Sequence, residues 1–506
     1  MLESHVKFLV RGVFMAEEDI TLEEIQKRFD SNPEDLTLKM QLSQTLIKEM
    51  REVDTEEIPF LLERIQELYD LDQENTLIRE HLALGLRTAL VPEDTETTNK
   101  LIIKIQNLYD LDQENFFIRG QLALGLANST IKTDVETTVA VAKKIEKLYE
   151  KDMKNILVRE AFAMGLSEIT IEADQTQALS VIDEIQTLYD NDHENSLIRE
   201  FFASALANVI VETDKETSIL LIEKIQELYN TDSENTNLRE RLALGLLNAT
   251  LSSDLTTQLS LIERIRYLYQ VDMKNNEVKE SYANSLYNAC NDSNGKEAII
   301  LIEKIQNLYD GDPENYSIKE TLAASLYNSS VNADMETAIY FISRLQKLFD
   351  TDPENFIICE YLAKGYYNAS FDAEPESKYQ LLKKVEELYE MDTDHQMGGI
   401  ALAGSLYELT IGSGSNEYKK LIERLQELHE AEPEVAHIRD LLAKSITSHT
   451  YHVRGDERVA LLEKLEILKR KWPEDDHWQL IANHFATQKD KAWEFAANFF
   501  GAQTKN

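Results

Sequence analysis

Leu308-Tyr309-Asp310-Gly311-Asp312-Pro313-Glu314-Asn315 is the stretch that decides how this chain is read. The same register returns 40 residues later as Leu348-Phe349-Asp350-Thr351-Asp352-Pro353-Glu354-Asn355. Earlier it stands as Leu68-Tyr69-Asp70-Leu71-Asp72-Gln73-Glu74-Asn75 and again from Leu108 to Asn115. It runs without insertion or deletion through Leu148, Leu188, Leu228, Leu268 and Leu388, and fades at Leu428-His429-Glu430. Upstream, Phe29-Asp30 holds the same phase. A fixed period of this length marks a solenoid, in which each unit buries its apolar face only by stacking on its neighbours. About eleven units fit between residues 31 and 470.

Within one unit, Asp310 to Phe349, the apolar residues Ile318, Leu322, Ala323 and Leu326 recur at helical spacing and predict a first helix over roughly 315–329. Asp312 and Pro313 read as its start, with Asp312 expected to cap the free backbone N–H groups. Asn328 to Ala333 breaks the pattern, and Asp334 can cap a second helix carrying Phe341, Ile342, Leu345, Leu348 and Phe349. Each unit is thus a helical hairpin. A small residue never enlarges at Ala83, Ala123, Ala163, Ala203, Ala243, Ala283, Ala323, Ala363, Ala403 and Ala443. That column allows neighbouring helices to approach closely.

The bulk composition agrees with one long helical array. The 506 residues include only 8 Pro and 16 Gly, so long flexible linkers are not expected. The formal net charge of -40 repels nucleic acid and anionic membrane surfaces and suits a basic partner. Cys290 and Cys359 occupy different positions of their units, so no disulfide framework is expected and the expected location is the cytoplasm. The apolar stretch Val6 to Met15 is interrupted by Lys7 and Arg11, too short and too charged to span a membrane; it reads as part of an N-terminal cap over residues 1–30.

The pattern resembles the tetratricopeptide repeat. In that family a second helix with aromatic and small residues runs into an Asp-Pro-x-Asn turn that opens the next first helix. Here Ala338, Phe341, Leu345 and Leu348 lead into Asp352-Pro353-Glu354-Asn355, and Leu362-Ala363 follow. The likeness covers roughly residues 20–470. It implies an all-α, right-handed superhelix with terminal capping helices and an extended concave binding surface. The chain departs from the family in two respects. Its period is 40 rather than the usual ~34, with the extra residues expected in the turn between paired helices. Arg79, Arg199 or Lys319 also stands where the family has a large aromatic residue.

Three columns are candidate partner-binding residues. Asparagine recurs at Asn128, Asn208, Asn248, Asn288, Asn328 and Asn368. An amide offers a donor and an acceptor, so this column suits either an inward ladder for an extended peptide or a cap at the helix end. The position before it reads Arg87, Ala127, Ser167, Ala207 and Leu247, then Tyr287, Tyr327, Tyr367 and Tyr407. Structural necessity acts alike on every unit, so a tyrosine run confined to one half marks either a local binding surface over 270–410 or local padding between units. Seven residues before each tyrosine position comes glutamate, as in Glu80, Glu160, Glu200, Glu240, Glu280, Glu320 and Glu360. It lies on the same helix face and suits a basic ligand or a pairing with Arg or Lys of a neighbouring unit.

No catalytic, cofactor or metal constellation emerges. The turn Asp70 to Asn75 resembles the start of a calcium loop, but Asn75 and His81 stand where such a loop wants Gly and Glu. His449 and His452 are three apart in a predicted loop. Gly412-Ser413-Gly414-Ser415 lacks the phosphate-loop pattern, and no basic patch with interleaved aromatics supports nucleic-acid binding. Unit 391–430 is degenerate, with His395, Gly399-Ile400 and Glu408 replacing Asn, Arg-Glu and Asn, and reads as a hinge. Trp472, Trp478 and Trp493 mark residues 471–506 as a C-terminal helical cap. The expected function is a non-enzymatic scaffold, adaptor or sensor binding a protein or peptide. The alternative is an acidic, antitoxin-like inhibitor that masks a basic partner by charge.

Overall fold

The computed structural model describes residues 21–91, 94–331, 333–371, 373–391, 396–411 and 415–486. Residues 1–20 of the expected N-terminal cap, His395, Gly412 to Gly414, and Trp493 with the rest of the C-terminal cap beyond 486 lie outside the described residues. Among the described residues 24 α-helices follow one another, with no strand. They fall into two compact bodies, residues 1–252 and residues 253–506. Each body holds five helical hairpins. In the first they run from Leu36–Glu49 with Ile58–Leu71 to Ser196–Val209 with Lys215–Thr231. In the second they run from Asn276–Asn291 with Gly295–Gly311 to Ala436–His449 with Asp456–Lys471.

The hairpins stack in one repeated manner. Each second helix packs on its own partner and on the first helix that follows, and successive first helices lie side by side. The core columns sit where the apolar spacing places them: Ile318, Leu322 and Ala323 have no exposed surface, nor have Phe341 and Leu345. The small column is equally closed, with Ala203, Ala243, Ala283 and Ala403 at 0% exposure. Two residues on, a Cβ added at Gly245 would meet Ile225 Cδ1 at 2.9 Å and Ile210 Cδ1 at 3.2 Å, so that crossing admits no larger side chain without movement.

The turn between units corrects the expected cap. Asn315, not Asp312, caps the first helix Tyr316–Val331: its side chain accepts the Ile318 N–H at 3.0 Å. Asn75, Asn115, Asn195, Asn235 and Asn355 do the same on their helices. The Asp three residues earlier instead closes the preceding helix, as where Asp312 N–H donates to Tyr309 O at 3.0 Å and Asn315 N–H to Asp312 O at 3.1 Å. Second helices are capped as the sequence implies, Asp334 accepting the Thr337 N–H at 3.0 Å. That hydrogen bonding, with the Thr337 hydroxyl, holds the Asp334 carboxyl below its ordinary pKa. The added length of the unit is shared between helix and turn. Phe116–Asn128 spans 13 residues before a long turn, whereas Asn276–Asn291 spans 16 before a short one.

Candidate partner-binding site

The charged columns are joined from unit to unit. Arg79 Nη1 lies 3.2 Å from Asp112 Oδ2, Arg119 Nη1 2.5 Å from Asp152 Oδ2 and Arg159 Nη2 2.7 Å from Asp192 Oδ2. In the second body Lys279 and Lys319 reach Asp312 and Asp352 at 2.5 and 2.9 Å. The arginines also donate to a carbonyl six residues back, as Arg119 Nη2 does to Gln113 O at 2.6 Å. The Arg or Lys in place of the family's aromatic residue is therefore a strut between units, and the turn Asp is its acceptor.

Glutamate forms a second rung. Glu80 Oε1 accepts from Asn115 Nδ2 at 3.0 Å, Glu160 from Asn195 at 3.0 Å, Glu200 from Asn235 at 2.8 Å and Glu280 from Asn315 at 3.1 Å. One asparagine thus caps its own helix with Oδ1 and holds the preceding unit with Nδ2. Where Gly120 replaces the Glu, Asn155 Nδ2 turns to Phe116 O at 2.7 Å, and Leu157 fills the space a Cβ at Gly120 would need. The rung at Glu320 is open. Its Oε1 and Asn355 Nδ2 do not meet; the Tyr316 hydroxyl hydrogen-bonds with Glu320, which raises the Tyr316 pKa, and lies beside Asn355. Glu360 pairs with Lys364 on its own helix.

The tyrosine and asparagine columns meet. Asn328 Nδ2 donates to Tyr287 Oη at 2.9 Å and to Asn291 Oδ1 at 3.1 Å; Asn368 Nδ2 donates to Tyr327 Oη at 3.4 Å. Tyr287, Tyr327, Tyr367 and Tyr407 are each half-buried, as are Asn288, Asn328 and Asn368. Asn328 and Asn368 lie inside their helices Tyr316–Val331 and Phe356–Ala369 rather than capping the ends. Tyr327 stacks on Tyr361 at 5.4 Å between centroids, with 26° between the planes. Tyr361 could not have been found from the column, because it sits six residues before Tyr367. Burial raises the pKa of Tyr361, Tyr367 and Tyr407, and neighbouring phenols add to the first two: Tyr287 and Tyr327 beside Tyr361, Tyr407 and Tyr327 beside Tyr367. The five rings therefore form one neighbourhood. Tyr367 also lies over Gly404, where an added Cβ would meet its Cζ at 2.5 Å. A pocket of about 300 Å³ adjoins this ribbon, lined by Cys290, Asn291, Tyr327, Asn328 and Val331 among others. Burial raises the Cys290 thiol to about 12, so it is an inert wall.

The degenerate unit keeps its helix: Gln396–Thr410 runs through both Gly398 and Gly399. Gly399 stands where the units from Arg79 to Lys319 carry Arg or Lys and the preceding unit carries Cys359, and the Glu432 carboxylate occupies the vacated space, 2.5 Å from where a Cβ would lie. The Tyr389 hydroxyl donates to Glu432 Oε1 at 2.9 Å, while Oε2 is buried without a partner. Burial raises the Glu432 pKa. Further on, His449 is not in a loop: it ends the helix Ala436–His449, buried, with its ring stacked on Tyr418 at 4.4 Å. Arg439 closes the last strut on Asp475, with 3.0 Å contacts from both Nε and Nη2, and lies 4.7 Å from the Trp472 ring centre. Trp472 and Trp478 are buried at this end, the Trp478 Nε1–H donating to Trp472 O at 2.7 Å.

Paired helices, an Asp-x-x-Asn turn and a small-residue crossing define the class: an all-α array of stacked helical hairpins with a 40-residue period, similar to tetratricopeptide repeats. No family model matches it, and no curated protein does. Solved structures similar to it include a chain from work on a phosphorylation switch controlling the interaction between cadherin and beta-catenin, with 11% identity, 96% of this chain and 98% of that one covered, and TM-score 0.36. Yeast Tom70 shows 11% identity over 88% of this chain and 99% of its own, at TM-score 0.32. A chain of Naa15/Naa10 bound to HypK-THB shows 11% identity over 95% and 76%, at TM-score 0.29. Among the described residues no helix is long and apolar enough to cross a membrane.

Proposed function

We propose that the chain is a protein-interaction scaffold, an adaptor or sensor, that holds an extended segment of another protein along the tyrosine ribbon from Tyr287 to Tyr407. The observation that carries this reading is the ribbon itself: aromatic rings left half-exposed in a column that reads Arg87, Ala127, Ser167, Ala207 and Leu247 in the earlier units. Asn288, Asn328 and Asn368 flank it. Glu320 lies one face-repeat away and favours a basic segment, while Glu280 and Glu360 are already engaged by Asn315 and Lys364. Tyr is suited to such a surface because it joins a broad apolar ring to a polar tip.

The test uses the full chain and a partner recovered from the native host by affinity purification and mass spectrometry, then made pure. Tyr327→Ala with Tyr367→Ala is expected to weaken that complex by about tenfold or more, as loss of central aromatic contacts does at other interfaces. Tyr327→Phe with Tyr367→Phe, which keeps the rings, should weaken it less than the alanine pair does. Equal affinity in the Ala pair and the parent would overturn the reading. The charge of -40 favours a second reading, an acidic inhibitor that masks a basic partner. Binding that collapses between about 50 and 500 mM salt, where exposed charges are screened within ~10 Å or less, supports masking by charge; binding that persists supports the ribbon.

A further inference from the structure

We infer that the segment held by the ribbon is proline-rich, in the polyproline II conformation, with basic residues at its flank. This deepens the reading of the ribbon as the docking surface and rests on it.

The first support is spacing. Successive first helices pack side by side, and packed helices lie ~8–10 Å apart. The ribbon therefore offers one tyrosine position every ~8–10 Å. A polyproline II helix advances ~3.1 Å per residue with three residues per turn, so it shows the same face every ~9.3 Å. A β-strand alternates faces every residue, so positions three apart point to opposite sides. Of these two extended conformations, the polyproline II chain is the one that presents an equivalent group to each successive tyrosine.

The second support is hydrogen-bond polarity. Tyr287 Oη and Tyr327 Oη accept from Asn328 and Asn368. A phenol that accepts in this way keeps one O–H to donate. The ribbon is thus a row of donors set in aromatic surface. A polyproline II segment has no internal hydrogen bonds and leaves its carbonyls free to accept, while proline brings no N–H that would need an acceptor. The stacked Tyr327 and Tyr361 rings add an aromatic wall, the kind of surface on which proline-rich segments dock. Charge supplies the flank: the chain carries -40 in all, and Glu320 stands on the same helix as Tyr327.

The experiment is calorimetric titration of the full chain with two peptides of equal length and equal arginine flanks. One carries about nine prolines, some three turns of polyproline II; the other carries Ser, Thr and Val in their place. The proline peptide is expected to bind at least about tenfold more tightly, and Tyr287→Phe with Tyr327→Phe to weaken it about tenfold through two lost hydrogen bonds, with helicity kept and melting lowered only by the loss of the two acceptors for Asn328 and Asn368. If the proline-free peptide binds equally well and loses affinity in the Tyr327→Ala, Tyr367→Ala variant, the ribbon reading stands and the polyproline assignment falls. If neither peptide binds in a tyrosine-dependent way, both fall. Full affinity of the Phe pair for the proline peptide would overturn the donor register.

Discussion

The asparagine column behaves differently in the two bodies, although its place in the repeat is the same. In the N-terminal body Asn248 Nδ2 reaches across to the backbone, donating to Ala207 O at 2.9 Å. In the C-terminal body Asn328, at the same offset, donates to the hydroxyl of Tyr287. The difference lies in the residue before the asparagine. Ala207 is fully buried and leaves the carbonyl within reach; a tyrosine ring at that place takes the amide instead. The bond between units survives the exchange, while the position itself changes from a closed alanine to a half-open aromatic ring. One position can thus vary for binding because the columns around it carry the stacking.

If that division is right, the core must be indifferent to which body it is in. Leu242→Ala and Leu322→Ala remove side chains with no exposed surface, one in each body. Both should cost ~2–5 kcal/mol, and equally within error, by chemical denaturation. A much smaller cost at Leu322 would mean that the tyrosine half is loosely packed. The next effect in size comes from moving the ribbon. Ala207→Tyr forces a ring into a closed site and should destabilise by ~1–3 kcal/mol. Tolerance of that change, read from melting curves, would break the contrast between the bodies.

Smaller still are the amide bonds. Asn248→Ala should cost about 1 kcal/mol for its bond to Ala207, and Asn328→Ala about the same or slightly more, since it donates to Tyr287 and also to Asn291. A Tyr287→Phe background should abolish most of the Asn328 effect and none of the Asn248 effect, a double-mutant cycle that isolates the rung. The least effect is expected at the irregular strut. Burial raises the folded pKa of Glu432 above its ordinary 4.5. Its contribution is therefore fully favourable below the unfolded pKa and is lost as pH rises through the folded value. Glu432→Gln, neutral at all pH, should raise the melting temperature at pH 7. That gain should vanish around pH 4, below the ordinary carboxyl value. A gain of equal size at both pH values would show that the carboxylate is not strained by burial.

Much of this was legible beforehand. The helix pairs around Leu322 and Phe341, the closed alanine column and the Asp334 cap follow from spacing and capping chemistry within a dozen residues. The Asp312 cap was misassigned because two residues able to cap stand three apart, and only the backbone path decides which one faces the free N–H groups. Arg119 with Asp152, Glu80 with Asn115 and Asn328 with Tyr287 join columns 33, 35 and 41 residues apart. The period makes such offsets constant, yet it does not say which columns meet. The exchange of Glu for Gly120, with Leu157 filling the space, was visible only as an irregularity.

The sequence by itself determined the period, the alternation of helices and the apolar stripe of each, because these depend on local spacing and on the need of each stripe for a neighbour. Only the tertiary structure decided which polar residues become struts and which stay open. That choice depends on the side-by-side packing of first helices, which sets how far an amide, a guanidinium or a phenol must reach. The same packing left five tyrosine rings together at the surface of the second body.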